Sequence, residues 1–138
     1  MVTAIIAVVA AVAAPRYATM LHRYRADTAA RSIVAELGKA RAFARQSSEA
    51  HRVQFDLTGH RLILPDQPTD HSGLRPAVWL ERPPYEASFV SVTLDDDASE
   101  IVFDGHGQPS VGGVIVIRSG QTTRTITLHP LSGQASFD

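Results

Sequence analysis

Cysteine is absent from the chain, which excludes a disulfide framework and thiolate zinc sites. Exported proteins need no disulfides, so the absence leaves the compartment open. Charge is absent from the first fifteen residues, MVTAIIAVVAAVAAP; the first charged side chain is Arg16. A secretory signal peptide puts its basic segment before the apolar run and a small-residue cleavage site after it. Here the basic residues Arg16, Arg23 and Arg25 come afterwards, an order that is wrong for a signal peptide.

Catalytic and ligand motifs are missing too. His22, His51, His60, His71, His106 and His129 form no H-E-x-x-H and no close pair with metal-site spacing, so they read as surface or turn residues. Ser47, Ser48, Ser110 and Ser132 lack the G-x-S-x-G context of a nucleophile elbow. Gly105, Gly107, Gly112 and Gly113 lack the strand–loop–helix setting of a phosphate-binding loop and read as turns. No enzyme activity, cofactor or metal is therefore expected. Asp95, Asp96 and Asp97, with Glu100 and Asp104, form the one acidic cluster. Such density can hold calcium, but the spacing fits no EF-hand and a solvated loop is the better reading.

What is present divides the chain in two. Its 138 residues suffice for one globular domain with an appendage. Through residue 61 there are nine Lys/Arg against four Asp/Glu; beyond it the count is four against ten. The basic front and acidic back suggest two differently placed regions. Between Ala4 and Ala14 only Ala, Ile and Val occur, without a polar face. A helix apolar all round needs lipid or burial on every side. An uncharged run of about fourteen residues is nevertheless shorter than the roughly 20 that span a bilayer. The expectation is a transmembrane helix whose beginning lies outside this sequence. Ala4, Ile5, Ile6, Val8, Val9, Val12 and Pro15 mark that segment, with a kink expected at Pro15.

Helical periodicity continues to about Ala50. Tyr17, Leu21 and Tyr24 recur at helical spacing, followed by Ala26, Ala30, Ile33, Leu37, Ala40 and Ala44. Arg23, Arg31, Glu36, Lys39, Arg41 and Arg45 mostly occupy other faces. A helix from Val2 to Ala50 measures ~73 Å at 1.5 Å per residue, so its uncharged end should protrude. After Ser47-Ser48 the pattern alternates. Val53, Phe55 and Leu57 share one face, and a Thr58-Gly59 turn returns the chain through His60–Leu64. Residues 65–76 hold three of the eight prolines and read as an irregular loop. Strands are expected at Val78–Leu80, Phe89–Leu94, Ile101–Phe103, Val114–Arg118, Arg124–Leu128 and Ala135–Phe137, with Ser119-Gly120-Gln121 as a hairpin turn. The fold class is α+β: a long N-terminal helix, membrane-embedded at first, packs its C-terminal half on an antiparallel β-sheet. Residues 1–24 form the membrane or filament-core segment. Residues 25–138 form the globular domain, with an amphipathic helix over 25–50 and sheet over 52–137. Ile33, Leu37, Ala40 and Ala44 are the expected helix–sheet contacts.

The stretch AIIAVVAAVAAPRYATMLHRYRADTAARSIVAELGKARAFA resembles the N-terminal helix of type IV pilins and type II secretion pseudopilins. With VQFD, IVFDGHGQP and GVIVIRSGQTTRTITLHPLSGQ, nearly the whole chain resembles the GspH/FimT family of minor pseudopilins. That resemblance implies a structural subunit of a secretion pseudopilus, assembling through its helix and supporting protein export. It implies a single-pass protein of the bacterial inner membrane with its globular domain in the periplasm. Its partners would be other pseudopilins or pilins, the inner-membrane assembly platform and the lipid bilayer. Ala7, Ala10, Ala11, Ala13 and Ala14 would allow close helix approach. Family precursors also carry a basic leader, a glycine before the cleavage site, and an aromatic and a glutamate early in the mature helix. None precedes Val2, so the N-terminus is expected to be truncated, and leader processing falls on no residue here. The alternative is a minor pilin of a type IV pilus that binds DNA for uptake. DNA binding requires an exposed basic patch; the exposed half is acidic, Arg118 and Arg124 are too few, and nucleic acid is not expected as a partner.

Overall fold

Alanine at every third or fourth position lets a helix lie close to a sheet, and that spacing governs the architecture. The computed structural model describes residues 2–68, 73 and 76–138, with the side chains of residues 2–6 and 12–14 outside that description. Half of the loop expected at 65–76, His71 included, also falls outside.

Helix α1 runs Val2–Ser47 as one element through Pro15, about 69 Å at 1.5 Å per residue. It ends three residues earlier than its periodicity suggests. Ser48 takes φ 55°, a left-handed conformation that closes a helix, and Ser47 turns its hydroxyl back to the Phe43 carbonyl at 2.8 Å. Ala26, Ala29, Ala30, Ile33, Leu37, Ala40 and Ala44 are all buried.

Eight strands follow: β1 (His51–Asp56), β2 (Arg61–Ile63), β3 (Ala77–Trp79), β4 (Ser88–Leu94), β5 (Glu100–Phe103), β6 (Gly113–Ser119), β7 (Thr122–Leu128) and β8 (Ala135–Phe137). They form two antiparallel four-stranded sheets, ordered β3-β2-β1-β5 and β4-β6-β7-β8, where the sequence suggested one. A narrow alanine-rich helix stripe cannot cover eight strands. The second sheet closes the core instead, with Phe55 of β1 edge-on to Phe89 of β4 at 5.9 Å between ring centroids. Phe103, Ile115, Ile117, Ile126 and Leu128 fill the space between helix and sheets.

Local chemistry explains the turns. The β1–β2 connection is a four-residue turn over 57–60 rather than the two residues Thr58-Gly59. Asp56 accepts the Gly59 N–H at 2.9 Å and pairs with Arg61 at 2.7 Å, which widens the loop. Leu57 therefore leaves the strand and is exposed instead of sharing the face of Val53. At the β6–β7 hairpin Ser119 pairs with Thr122, leaving Gly120-Gln121 as a two-residue loop. Gly120 has φ +59° and lies against the His22 ring, where a Cβ would come within 2.6 Å. One glycine thus both makes the hairpin and lets it meet the helix.

Candidate assembly surface

The helix meets the domain at its lower end through a small polar collar. His22 Nδ1 lies 3.5 Å from the Ser119 hydroxyl, Arg25 pairs with Glu86 at 2.9 Å, and Arg124 pairs with Asp27. Below the collar the helix leaves the domain. Every side chain described over 7–11 and 15–20 is exposed, a protrusion of roughly 27 Å counted from Val2 at the helical rise. Val8 and Val9 are 65% and 64% exposed, and Tyr17, Met20 and Tyr24 extend the apolar surface towards the collar. Pro15 is exposed, and its carbonyl accepts the Thr19 hydroxyl at 3.0 Å. Ala4, Ile5, Ile6 and Val12 lie on this helix, with side chains outside the description. Among the described residues, no helix carries a stretch long and apolar enough to cross a membrane. The arrangement is an exposed apolar rod that can bury its surface only against something outside the subunit.

Ile33, Leu37, Ala40 and Ala44 sit in the core between α1 and the sheets. Arg41 lies off that buried stripe, as its spacing suggests, yet it is tied to the domain. Its Nε donates to the Gly107 carbonyl at 3.2 Å, and its aliphatic stem, with that of Arg45, fills the space above Gly107, which has φ +80°. Nothing in the sequence spacing joins Arg41 to a turn 66 residues away. The F-D-x-x-G turn around Asp104 was the available clue, since such a turn leaves a carbonyl free.

The histidines are not uniformly surface residues either. His51 is buried, stacked on Phe43 at 6.2 Å between ring centroids, with Nε2 3.2 Å from the Ser47 hydroxyl. His60 Nδ1 accepts the Phe89 N–H at 3.0 Å, and His129 Nδ1 accepts from Ser132 N–H at 3.2 Å. They tie elements and turns together. Asp95–Asp97 form a 3-10 turn, with Asp96 and Asp97 at positive φ and all three exposed. Asp104 stands apart: the Gln108 N–H first, and then the His106 N–H, hold its carboxylate below the usual range. Among the described residues no group of three His, Cys, Asp or Glu is placed to hold a metal ion.

No family model matches the chain, and no curated protein matches it by sequence. Solved structures do. The minor pseudopilin EpsH from the type 2 secretion system of Vibrio cholerae superposes with TM-score 0.63 at 16% identity, over 83% of this chain and 96% of its own. The type IV minor pilin FimU of Pseudomonas aeruginosa superposes with TM-score 0.59 at 18% identity, over 84% of this chain and 90% of its own. A second crystal form of FimU gives 0.57. The chain has the pilin-like α+β fold: one long N-terminal helix packed on antiparallel sheets.

Proposed function

We propose that this chain is a structural minor pseudopilin of the GspH/FimT kind, which assembles through the free half of α1 into a type II secretion pseudopilus and supports protein export. The observation that carries the reading is the exposed apolar rod below the His22–Arg25 collar, seated on a pilin-like fold. Before assembly the rod would hold the subunit in the inner membrane, with the globular domain in the periplasm. Afterwards it would pack among the helices of other pilin-like subunits, where valine and alanine side chains permit close approach. The inner-membrane assembly platform would be the other partner.

Likeness to FimU supports equally a place in a type IV pilus, and that reading differs only in the filament joined. DNA binding gains nothing from the geometry, since Arg124 is already committed to Asp27.

The test is Val9→Asp, scored by secretion or by recovery of the subunit in sheared filaments, at matched expression. Val9 contacts nothing in the globular domain, so the fold should survive while incorporation falls to background. Normal incorporation of the variant would remove the rod from the assembly mechanism.

A further inference from the structure

A cleft of about 460 Å³ opens at the upper end of the domain, between α1 and strand β8. Val34, Gly38 and Arg41 form its helix wall, and Gln134, Ala135 and Ser136 form its strand wall. Three features of these walls have no use within the chain itself.

The first is Gly38. Glycine inside a helix is unfavourable relative to alanine, and it is usually kept where a neighbour needs the room. Here a Cβ would meet no atom within 4 Å. Nothing in this subunit occupies the space that Gly38 leaves open.

The second is the free edge of β8, the last strand in its sheet. Asp138 and Thr125 exchange both backbone hydrogen bonds, and the His129 N–H donates to the Gln134 carbonyl. By antiparallel alternation Ser136 also faces β7, so Ala135 and Phe137 turn their N–H and C=O groups outward. The segment Ala135-Ser136-Phe137 is short, but it contains no proline, charge or bulge to blunt its edge.

The third is charge. Arg41 lines the cleft, and no carboxylate does. The Arg41 Nε is anchored on the Gly107 carbonyl, and the side chain also abuts Gly133. Among the described residues no Asp or Glu pairs with it, although five other Lys or Arg side chains pair with carboxylates. The guanidinium is held in place with its remaining N–H groups available, which favours a planar bidentate partner.

We propose that this cleft receives an extended, acidic segment of another polypeptide chain, which adds to β8 as a further strand and seats a carboxylate on Arg41. A helix would use the room at Gly38 but leave the β8 edge unsatisfied, because its own backbone groups are bonded internally. A free anion would use Arg41 but neither the room at Gly38 nor the β8 edge. An extended strand uses all three features, with its main chain on Ala135 and Phe137 and alternate side chains turned to Val34 and Gly38. The inference concerns the isolated subunit and stands or falls independently of the assembly reading.

The probe is a short capped peptide of alternating valine and threonine with one central aspartate, titrated into the full chain in detergent and followed by amide NMR. Shifts and slowed exchange should concentrate at the amides of Ala135 and Phe137, with smaller changes at Gly38. Asparagine for the peptide's aspartate should weaken binding about tenfold, the scale of one charge-assisted pair. Methylating alternate peptide nitrogens should abolish binding, because strand addition needs those N–H groups. Gly38→Leu should block the cleft without lowering the melting temperature, since leucine is a good helix former in open space. Four outcomes would each overturn the proposal: no change at Ala135 and Phe137 with millimolar peptide, equal binding of the asparagine peptide, undiminished binding of the methylated one, or undiminished binding to a folded Gly38→Leu chain.

Discussion

Leu37 and Gly38 are adjacent on α1 and act on the fold in opposite senses. Leu37 is fully buried between helix and sheets, so Leu37→Ala removes contact and leaves a cavity, at a cost of about 2–5 kcal/mol. Gly38 is exposed with open space at its Cβ, so Gly38→Ala should stabilise by about 0.5–1 kcal/mol through helix propensity alone. Arg41→Ala should cost about 1 kcal/mol, because it removes the bond to the Gly107 carbonyl and the stem packed beside it. Denaturant unfolding of the three variants checks the ranking. A neutral Arg41→Ala would return that residue to the indifferent face that helical spacing alone assigns it. The apolar positions Ile33 and Leu37 were legible because burial imposes a period. Arg41 was not, because its partner is a backbone carbonyl of a turn, and a carbonyl has no letter in the sequence.

Among the elements, the strands could be located within a residue or two from alternation, while their distribution over two sheets could not. β1 pairs with β2 and β5, whereas β4 pairs with β6, so the chain changes sheet between consecutive strands. Alternation records which face of a strand is buried, not which neighbour it lies beside. The turns are held by carboxylates whose role is also hidden until the loop closes. Asp56 is held below the usual range by the Gly59 N–H and then by Arg61, Asp66 by Arg52, and Asp104 by the Gln108 and His106 N–H groups. A carboxylate that ionises more readily folded than unfolded adds stability above its ordinary pKa, near 4. That contribution is lost as pH falls through the lower, folded-state value. Asp104→Asn keeps an acceptor oxygen but no titrating group. The variant should be less stable than the parent at neutral pH, and the gap should narrow below about pH 4. Thermal melts at stepped pH measure this; a gap that stays constant into acid would dissociate the turn from the titration of Asp104.

At the scale of the whole molecule, one helix serves two environments, and the collar of His22, Arg25 and Asp27 is where they meet. Above it, the alanine stripe is sealed in the core; below it, every side chain described from Ala7 to Met20 is exposed. With those side chains all exposed, folding of the domain should not depend on the rod. A chain beginning at Arg25 keeps the Arg25–Glu86 and Asp27–Arg124 pairs and loses the loose His22–Ser119 approach, the packing of the His22 ring on Gly120 and the Thr28 hydroxyl bond to the Tyr24 carbonyl. It should unfold cooperatively with a stability within about 1 kcal/mol of the full chain, since surface pairs and exposed polar contacts contribute little. The full chain should partition with lipid vesicles or detergent, while the shortened one stays in plain buffer, because only the former carries the exposed Val8, Val9, Tyr17 and Met20 surface. Vesicle flotation and denaturant unfolding of the two chains separate the possibilities. Equal solubility of both would remove the rod's demand for an apolar partner. A shortened chain that failed to fold would show that the rod stabilises the domain, and the division of labour at the collar would then be wrong.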